Sequence, residues 1–204
     1  MVEKVDLPPG MILAGGLSRR MGGGDKGLLR LGDRPILRHV VDRIRPQVSA
    51  LALNANGDAA RFADFALEVV ADPLPGFAGP LVGILAALSW ASPSATHVLT
   101  VPGDTPFLPR DLVVRLRSAI RGPDDSAIAA RAGRRHPVIG LWPVTSRARL
   151  RAAIEGEGLR KVEAWTDRLQ SRVVDFDGGS CDPFFNVNTP DDLAAARDLL
   201  SINP

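Results

Sequence analysis

Short apolar runs alternate along the chain with longer stretches whose apolar positions recur at helical spacing. Gly10 to Ala14, Leu51 to Leu53, Leu67 to Val70 and Thr96 to Val101 are runs of strand length, bounded by Gly, Pro, Asn or Asp. Between them, Pro35 to Pro46 carries Ile36, Leu37, Val40, Val41 and Ile44 on one helical face. Pro80 to Trp90 and Pro109 to Ile120 predict two more helices, the first behind a glycine-rich approach. Further on, Ser126 to Ala130 and Val138 to Trp142 predict strands joined by a basic turn, Ala132 to His136. Helical stretches follow around Ser146 to Ile154 and Arg160 to Leu169, then a short strand at Val173-Val174. A terminal helix spans Asp191 to Leu200, with Thr189 as N-cap and Pro190 at N1.

Strands alternating with helices predict an α/β fold: a single-domain, Rossmann-like three-layer sandwich with a mainly parallel sheet between helices. The 204 residues suit one such domain. Ligands of these sheets gather at the carboxyl edge. Gly15, Asn54, Asp72 and Asp104 each fall just past a predicted strand.

Composition narrows the function. Hydrophobic residues make up 45%, enough for a packed core. Net charge is +2, and the basic residues are scattered apart from Arg19-Arg20 and Arg134-Arg135. No basic stripe appears and Tyr is absent, which argues against nucleic acid as a partner. The single cysteine, Cys181, permits no intrachain disulfide and suits a reducing, cytoplasmic setting. Three dispersed histidines give no zinc-type spacing. Met1 to Pro9 lacks the apolar core of a signal peptide, and no apolar run reaches membrane-spanning length.

The strongest chemical signal is the glycine-rich loop Gly15 to Gly27. Its glycines let backbone N–H groups approach a phosphate, and Arg19, Arg20 and Lys26 add charged donors. A flexible, solvated loop is the plainer alternative, but a strand before, a helix after and three cations favour function. Two familiar motifs nearly match and fail. Gly22 to Gly27 spells G-x-G-x-x-G, yet it does not directly follow the strand, and the second strand ends in Asn54 rather than in an acid. Asp25-Lys26-Gly27 lacks the Ser or Thr that follows the lysine of a P-loop.

Asp104, in Val-Pro-Gly-Asp-Thr-Pro, is an acid delivered at a strand end and a candidate ligand for Mg²⁺, which takes few carboxylates plus phosphates and water. The plainer alternative is a turn-forming Asp before Thr105-Pro106. Asn54 and Asn56 carry amides able to read a base or sugar, though turn asparagines are common. Asn186 and Asn188, in Phe-Asn-Val-Asn-Thr-Pro, point to one side if extended.

Taken together, Leu13-Ala14-Gly15-Gly16, Ser18 to Gly23 and Asp25-Lys26 resemble the nucleotidyltransferases that act on molybdopterin, and the Leu-Ala-Gly-Gly form resembles the guanylyl branch. The similarity runs from Met11 to Leu193 and is weakest between Ser146 and Asp182. It implies transfer of GMP from GTP to molybdenum-molybdopterin, with Mg²⁺ on Asp104. It implies a catalytic set of Lys26, Arg19 and Asp104 and a GTP site of Leu13, Ala14, Gly15, Gly16, Lys26, Asn54, Asp72 and Asp104. The molybdopterin side would comprise Gly22, Gly79, Gly83, Asn186 and Asn188. Residues of about 10–110 would hold nucleotide and metal, and those of about 126–200 the acceptor. Cofactor-insertion and molybdoenzyme chaperone proteins would be its protein partners. His136 to Gly140 also matches a segment of the family and is given a structural role. Alternatives are a molybdopterin cytidylyltransferase, a sugar-1-phosphate nucleotidyltransferase and a non-catalytic nucleotide- or cofactor-binding module.

Overall fold

Four apolar runs become parallel strands because helices cover both of their faces. In the computed structural model, which describes residues 7–15, 25–76, 79–177 and 181–202, these are β1 (Gly10–Leu13), β4 (Leu51–Asn54), β5 (Glu68–Val70) and β6 (His97–Pro102). Two short strands, β2 (Arg30–Leu31) and β3 (Arg34–Pro35), form a separate hairpin. Three more complete the main sheet: β7 (Ala127–Arg131), β8 (Arg134–Pro143) and β9 (Arg172–Asp175). Among the described residues the sheet order is β5-β4-β1-β6-β8-β7-β9. It is parallel from β5 to β6; β8 runs antiparallel to both its neighbours, and β9 is parallel to β7.

The period-two alternation of strands divides the core into two layers. Ile12, Leu53, Leu99 and Val101 face one side and pack on α1 (Ile36–Ile44) and α3 (Leu112–Ser118). Met11, Ala52, Val98 and Trp142 face the other. They meet α2 (Pro80–Trp90), α4 (Arg147–Glu155) and α5 (Val162–Arg168). Leu81 to Leu88 are all buried, so α2 is apolar nearly all round. Polar groups between the layers are paired: the Trp142 indole donates to Thr100 Oγ1, which donates to Val138 O. A third, smaller cluster of Leu31, Ile36, Phe107, Val187 and Ala196 fastens the hairpin to α6 (Pro190–Ile202).

Thr189 caps α6 as expected. Asp192 N donates to Thr189 Oγ1 at 3.1 Å, and Thr189 N donates back to Asp192 Oδ2 at 2.8 Å, a reciprocal capping box. Other expectations need correction. The turn between β7 and β8 is only Ala132-Gly133, with φ of 47° and 76°, so Arg134 to His136 are strand residues. A two-residue hairpin loop needs this mirror-image turn to match the strand twist. The expected helix at Pro35 begins at Ile36, because Pro35 lies in β3, and ends at Ile44, before a 3₁₀ turn at Arg45–Gln47. The expected helix of 109–120 contracts to α3, with Pro109 to Asp111 outside it. Two 3₁₀ segments, Lys26–Leu28 and Ala59–Phe65, were not anticipated.

Candidate active site

The parallel strands turn back at β1: β4 and β5 lie to one side and β6 to the other. A crevice opens at the carboxyl ends of strands at such a reversal. Here it is a cavity of about 270 Å³, lined by Leu13, Ala14, Gly15, Lys26, Asn54, Asp72, Gly79, Gly83, Asp104, Val138 and Asn186 among others. A larger cavity, about 680 Å³, lies at the amino edge beside Leu7, Trp90, His97, Arg117 and Arg121. Among the described residues, its lining has none of the expected residues and no carboxylate. Its His97 already has both ring nitrogens engaged, with Thr96 Oγ1 and Asp125 O. The residues expected from the sequence gather in the smaller cavity.

The β4 end of this cavity is an ordered amide–carboxylate cluster. Asn54, 3% exposed, donates from Nδ2 to Val70 O at 3.1 Å and to Asp72 Oδ1 at 3.0 Å. Asn56 donates to Asp72 Oδ2 at 2.7 Å and accepts from Asp72 N at 2.9 Å. The donor capacity of Asn54 is thus spent on the protein, leaving Oδ1 as its side-chain atom with no partner among the described residues. Gly83 sits opposite because a side chain would not fit: a Cβ there would lie 2.7 Å from Asn54 Oδ1. Gly79, at φ 112°, caps the amino end of α2, with Pro80 at its first position, and lines the cavity too. Gly79 and Gly83, expected on the acceptor side, share this wall with Leu13 and Asn54.

At the β6 end stand Lys26, Asp104 and Asn186. Asp104 Oδ1 is buried and without a hydrogen-bond partner. Desolvation pushes its carboxyl above the usual range, against the opposing pull of the Lys26 charge. Lys26 Nζ donates to Asn188 Oδ1 at 2.7 Å. Asp192 accepts from Asn188 N at 2.9 Å, so the capping acid of α6 also fixes the asparagine backbone. The Thr105 hydroxyl donates to Asn186 Oδ1, and Val187 N donates to Asp104 O at 3.0 Å. Four expected residues, Lys26, Asp72, Asp104 and Asn186, thereby line one crevice with Leu13 to Gly15 and Asn54, and Asn188 is joined to it through its bond with Lys26. Gly16, Arg19 and Gly22 lie outside the described residues.

The sequence reading overlooked three groups. Thr105 was assigned to a turn. Asp25 accepts from Arg61 Nε, and Arg61 also donates to the carbonyls of Asn56 and Asp58 while stacking on Phe62. This arginine ties the end of the glycine-rich loop to the asparagine turn. Asp25 could have been suspected, since it precedes Lys26 in the quoted motif; nothing marks Arg61.

An orphaned buried carboxylate oxygen is a fitting ligand for a hard cation. Among the described residues, no three His, Cys, Asp or Glu side chains gather as a ready-made cage. The donor set therefore fits a divalent ion completed by phosphate and water better than a structural metal. No described helix is long and apolar enough to cross a membrane.

This sheet and carboxyl-edge crevice define a nucleotidyltransferase of the nucleotide-diphospho-sugar transferase fold. The molybdopterin-guanine dinucleotide biosynthesis protein A from Archaeoglobus fulgidus superposes with a TM-score of 0.72 at 23% identity, covering 95% of this chain and 99% of its own. A Mycobacterium tuberculosis protein crystallised as a complex with manganese superposes at 0.68 and 23% identity, over 94% and 98%. Residues 10–171 match the family of the MobA-like NTP transferase domain, and the chain belongs to it. A molybdenum cofactor guanylyltransferase from Rhodopseudomonas palustris (strain HaA2) is 52% identical over 201 residues, spanning 97% of this chain and 94% of that protein.

Proposed function

We propose that the protein transfers GMP from GTP to molybdenum-molybdopterin, releasing pyrophosphate and forming the guanine dinucleotide of the cofactor. The observation that carries this reading is the unpartnered Oδ1 of Asp104, set between a nucleotide-loop wall and the asparagines of the carboxy-terminal motif. Residues of about 10–110 form the nucleotide side, and those of about 126–200 the acceptor side.

The base end favours guanine. Asn54 Oδ1 and the Asp72 carboxylate are acceptors, and guanine offers adjacent N–H donors, including its N2 amino group. Cytosine offers one amino group on an edge whose other two groups, N3 and O2, are acceptors. The backbone of Leu13 to Gly15 completes this end, and Gly16 continues it. Lys26 and Arg19 neutralise the triphosphate, and first-turn N–H groups of α2, behind Gly79, add to the positive field. Asp104 holds the metal, Mg²⁺ in this reading, whose contribution when bound is charge neutralisation at the reacting phosphates. Asn186, Asn188 and Gly22 hold the pterin substrate, while Gly79 and Gly83 belong to the nucleotide wall. Its phosphate attacks the α-phosphorus as an anion, so no general base is needed, and the chain contributes positioning and electrostatics. The reaction belongs in the cytoplasm, from which the product passes to cofactor-insertion and molybdoenzyme chaperone proteins.

Pyrophosphate release is the direct test, with molybdenum-molybdopterin or molybdopterin, Mg²⁺ and either GTP or CTP. Release with GTP that depends on the pterin is expected. Release with CTP alone would move guanine selection off Asn54 and Asp72. No release with either nucleotide would overturn the transferase reading for this acceptor.

A further inference from the structure

Thr105 follows the acid at the end of β6, where a threonine is ordinarily a turn residue. Its surroundings are unlike those of a turn. The residue is 1% exposed, and its hydroxyl donates to Asn186 Oδ1, 81 positions further along the chain. One residue to either side, Val187 N donates to Asp104 O. A main-chain bond and a side-chain bond thus set the carboxy-terminal motif in register against the loop that carries Asp104.

A hydroxyl has one proton to give. Given to Oδ1, it fixes which way round the Asn186 amide sits and leaves the NH₂ group for the cavity that Asn186 lines. Asn188 is treated the same way: lysine has only donors, so its Oδ1 is taken by Lys26 and its NH₂ is left over. Among the described residues neither NH₂ has a partner, so both asparagines have donors to offer the acceptor side. Two such groups beside a lysine suit an anion, here the phosphate of the second substrate.

We propose that Thr105 is a positioning residue for the transfer reaction, holding the Asn186 amide with its NH₂ toward the phosphate of the acceptor. This rests on the assignment of Asn186 to the acceptor side. Without the hydroxyl, the exposed amide rotates freely and half of its orientations put an oxygen against that phosphate.

Thr105→Val keeps the shape and removes the donor; Thr105→Ser keeps the donor. Thermal unfolding of both verifies the fold. In the pyrophosphate assay, Thr105→Val should raise the KM for molybdopterin about tenfold while leaving the KM for GTP and kcat within about twofold, and Thr105→Ser should restore it. The same hydroxyl stands beside the Asp104 carboxylate, so a second measurement separates the two neighbours. Direct titration of pterin fluorescence in EDTA, with no metal present, should show the same tenfold loss for Thr105→Val and none for Thr105→Ser. Three results would overturn the proposal: an unchanged molybdopterin KM in the valine variant, equal losses in both variants, or a loss that vanishes in EDTA and appears instead as a higher metal requirement. A wild-type enzyme that neither binds nor uses the pterin would instead refute the assignment of the acceptor side.

Discussion

Gly83→Ala separates packing from binding at the nucleotide wall. The added Cβ would lie 2.7 Å from Asn54 Oδ1 and 3.1 and 3.2 Å from the Leu13 δ-carbons. The leucine contacts are with the far end of a flexible side chain and can yield. The asparagine cannot yield so easily, because Nδ2 is tied to Val70 O at 3.1 Å and Asp72 Oδ1 at 3.0 Å. Normal clearance requires Oδ1 to retreat about 0.3–0.7 Å, which stretches one of those bonds past useful length. The loss is about 1 kcal/mol for that bond. Alanine in a helix interior returns about 0.8–1 kcal/mol relative to glycine. Global stability should therefore barely move, with Tm within about 2 °C of wild type. GTP affinity should fall about tenfold, because the base-facing acceptors Asn54 and Asp72 are displaced together. Calorimetric titration of GTP alongside thermal unfolding measures both, and repeating it on Asn54→Ala closes a double-mutant cycle. An unchanged Kd, or a loss as large in the Asn54→Ala background as in wild type, would refute the reasoning.

Asp104→Asn removes a buried charge, one of whose oxygens has no hydrogen-bond partner, while keeping the shape. Its melting temperature should rise by a few degrees and pyrophosphate release should fall at least ~100-fold; a variant with normal turnover would exclude Asp104 from the metal site. Asp192→Asn tests the capping acid. The Asn188 N–H first, then the Thr189 hydroxyl, hold this carboxyl below its usual range, so its stabilisation is complete above the ordinary aspartate pKa and is lost as pH falls through the lowered folded value. The variant should melt below wild type at pH 7, and the gap should begin to narrow below about pH 4 and close only below the lowered folded value; a gap independent of pH would rule out the charge. Arg61→Lys keeps the charge but not the three-way bond to Asp25, Asn56 and Asp58. The KM for GTP should rise about fivefold with kcat little changed, and steady-state kinetics showing neither would reduce Arg61 to a surface residue.

Periodicity sufficed for the parallel half of the sheet, where each strand is a continuous apolar run closed by Gly, Asn, Asp or Pro. It also put Asn54, Asp72 and Asp104 at the carboxyl edge, because strand ends are visible; Asn186 and Asn188 follow no strand and were singled out by resemblance. It misread Arg134 to His136, since three basic residues resemble a turn until the left-handed pair Ala132-Gly133 takes that place. The β2–β3 hairpin is too short to show any alternation. Contacts that join distant segments left no local trace. Nothing near Asn54 foretells that Asp72 occupies its amide, nothing near Arg61 points to Asp25, and Thr105 looks like any threonine before proline. Such pairings are decided by tertiary packing, which a local pattern does not encode.

The bond from Lys26 to Asn188 spans 162 positions. A ribosome adding 5–20 residues per second takes roughly 4–16 s to travel from the end of the nucleotide half, near position 110, to Asn188. For that interval β1, β4 and β6 can already pair while Lys26 has no asparagine to hold and Asp104 has no Val187 beneath it. The growing chain thus completes the paired ends of β1, β4 and β6 well before the segment that Lys26 holds exists, so this end of the crevice is assembled last.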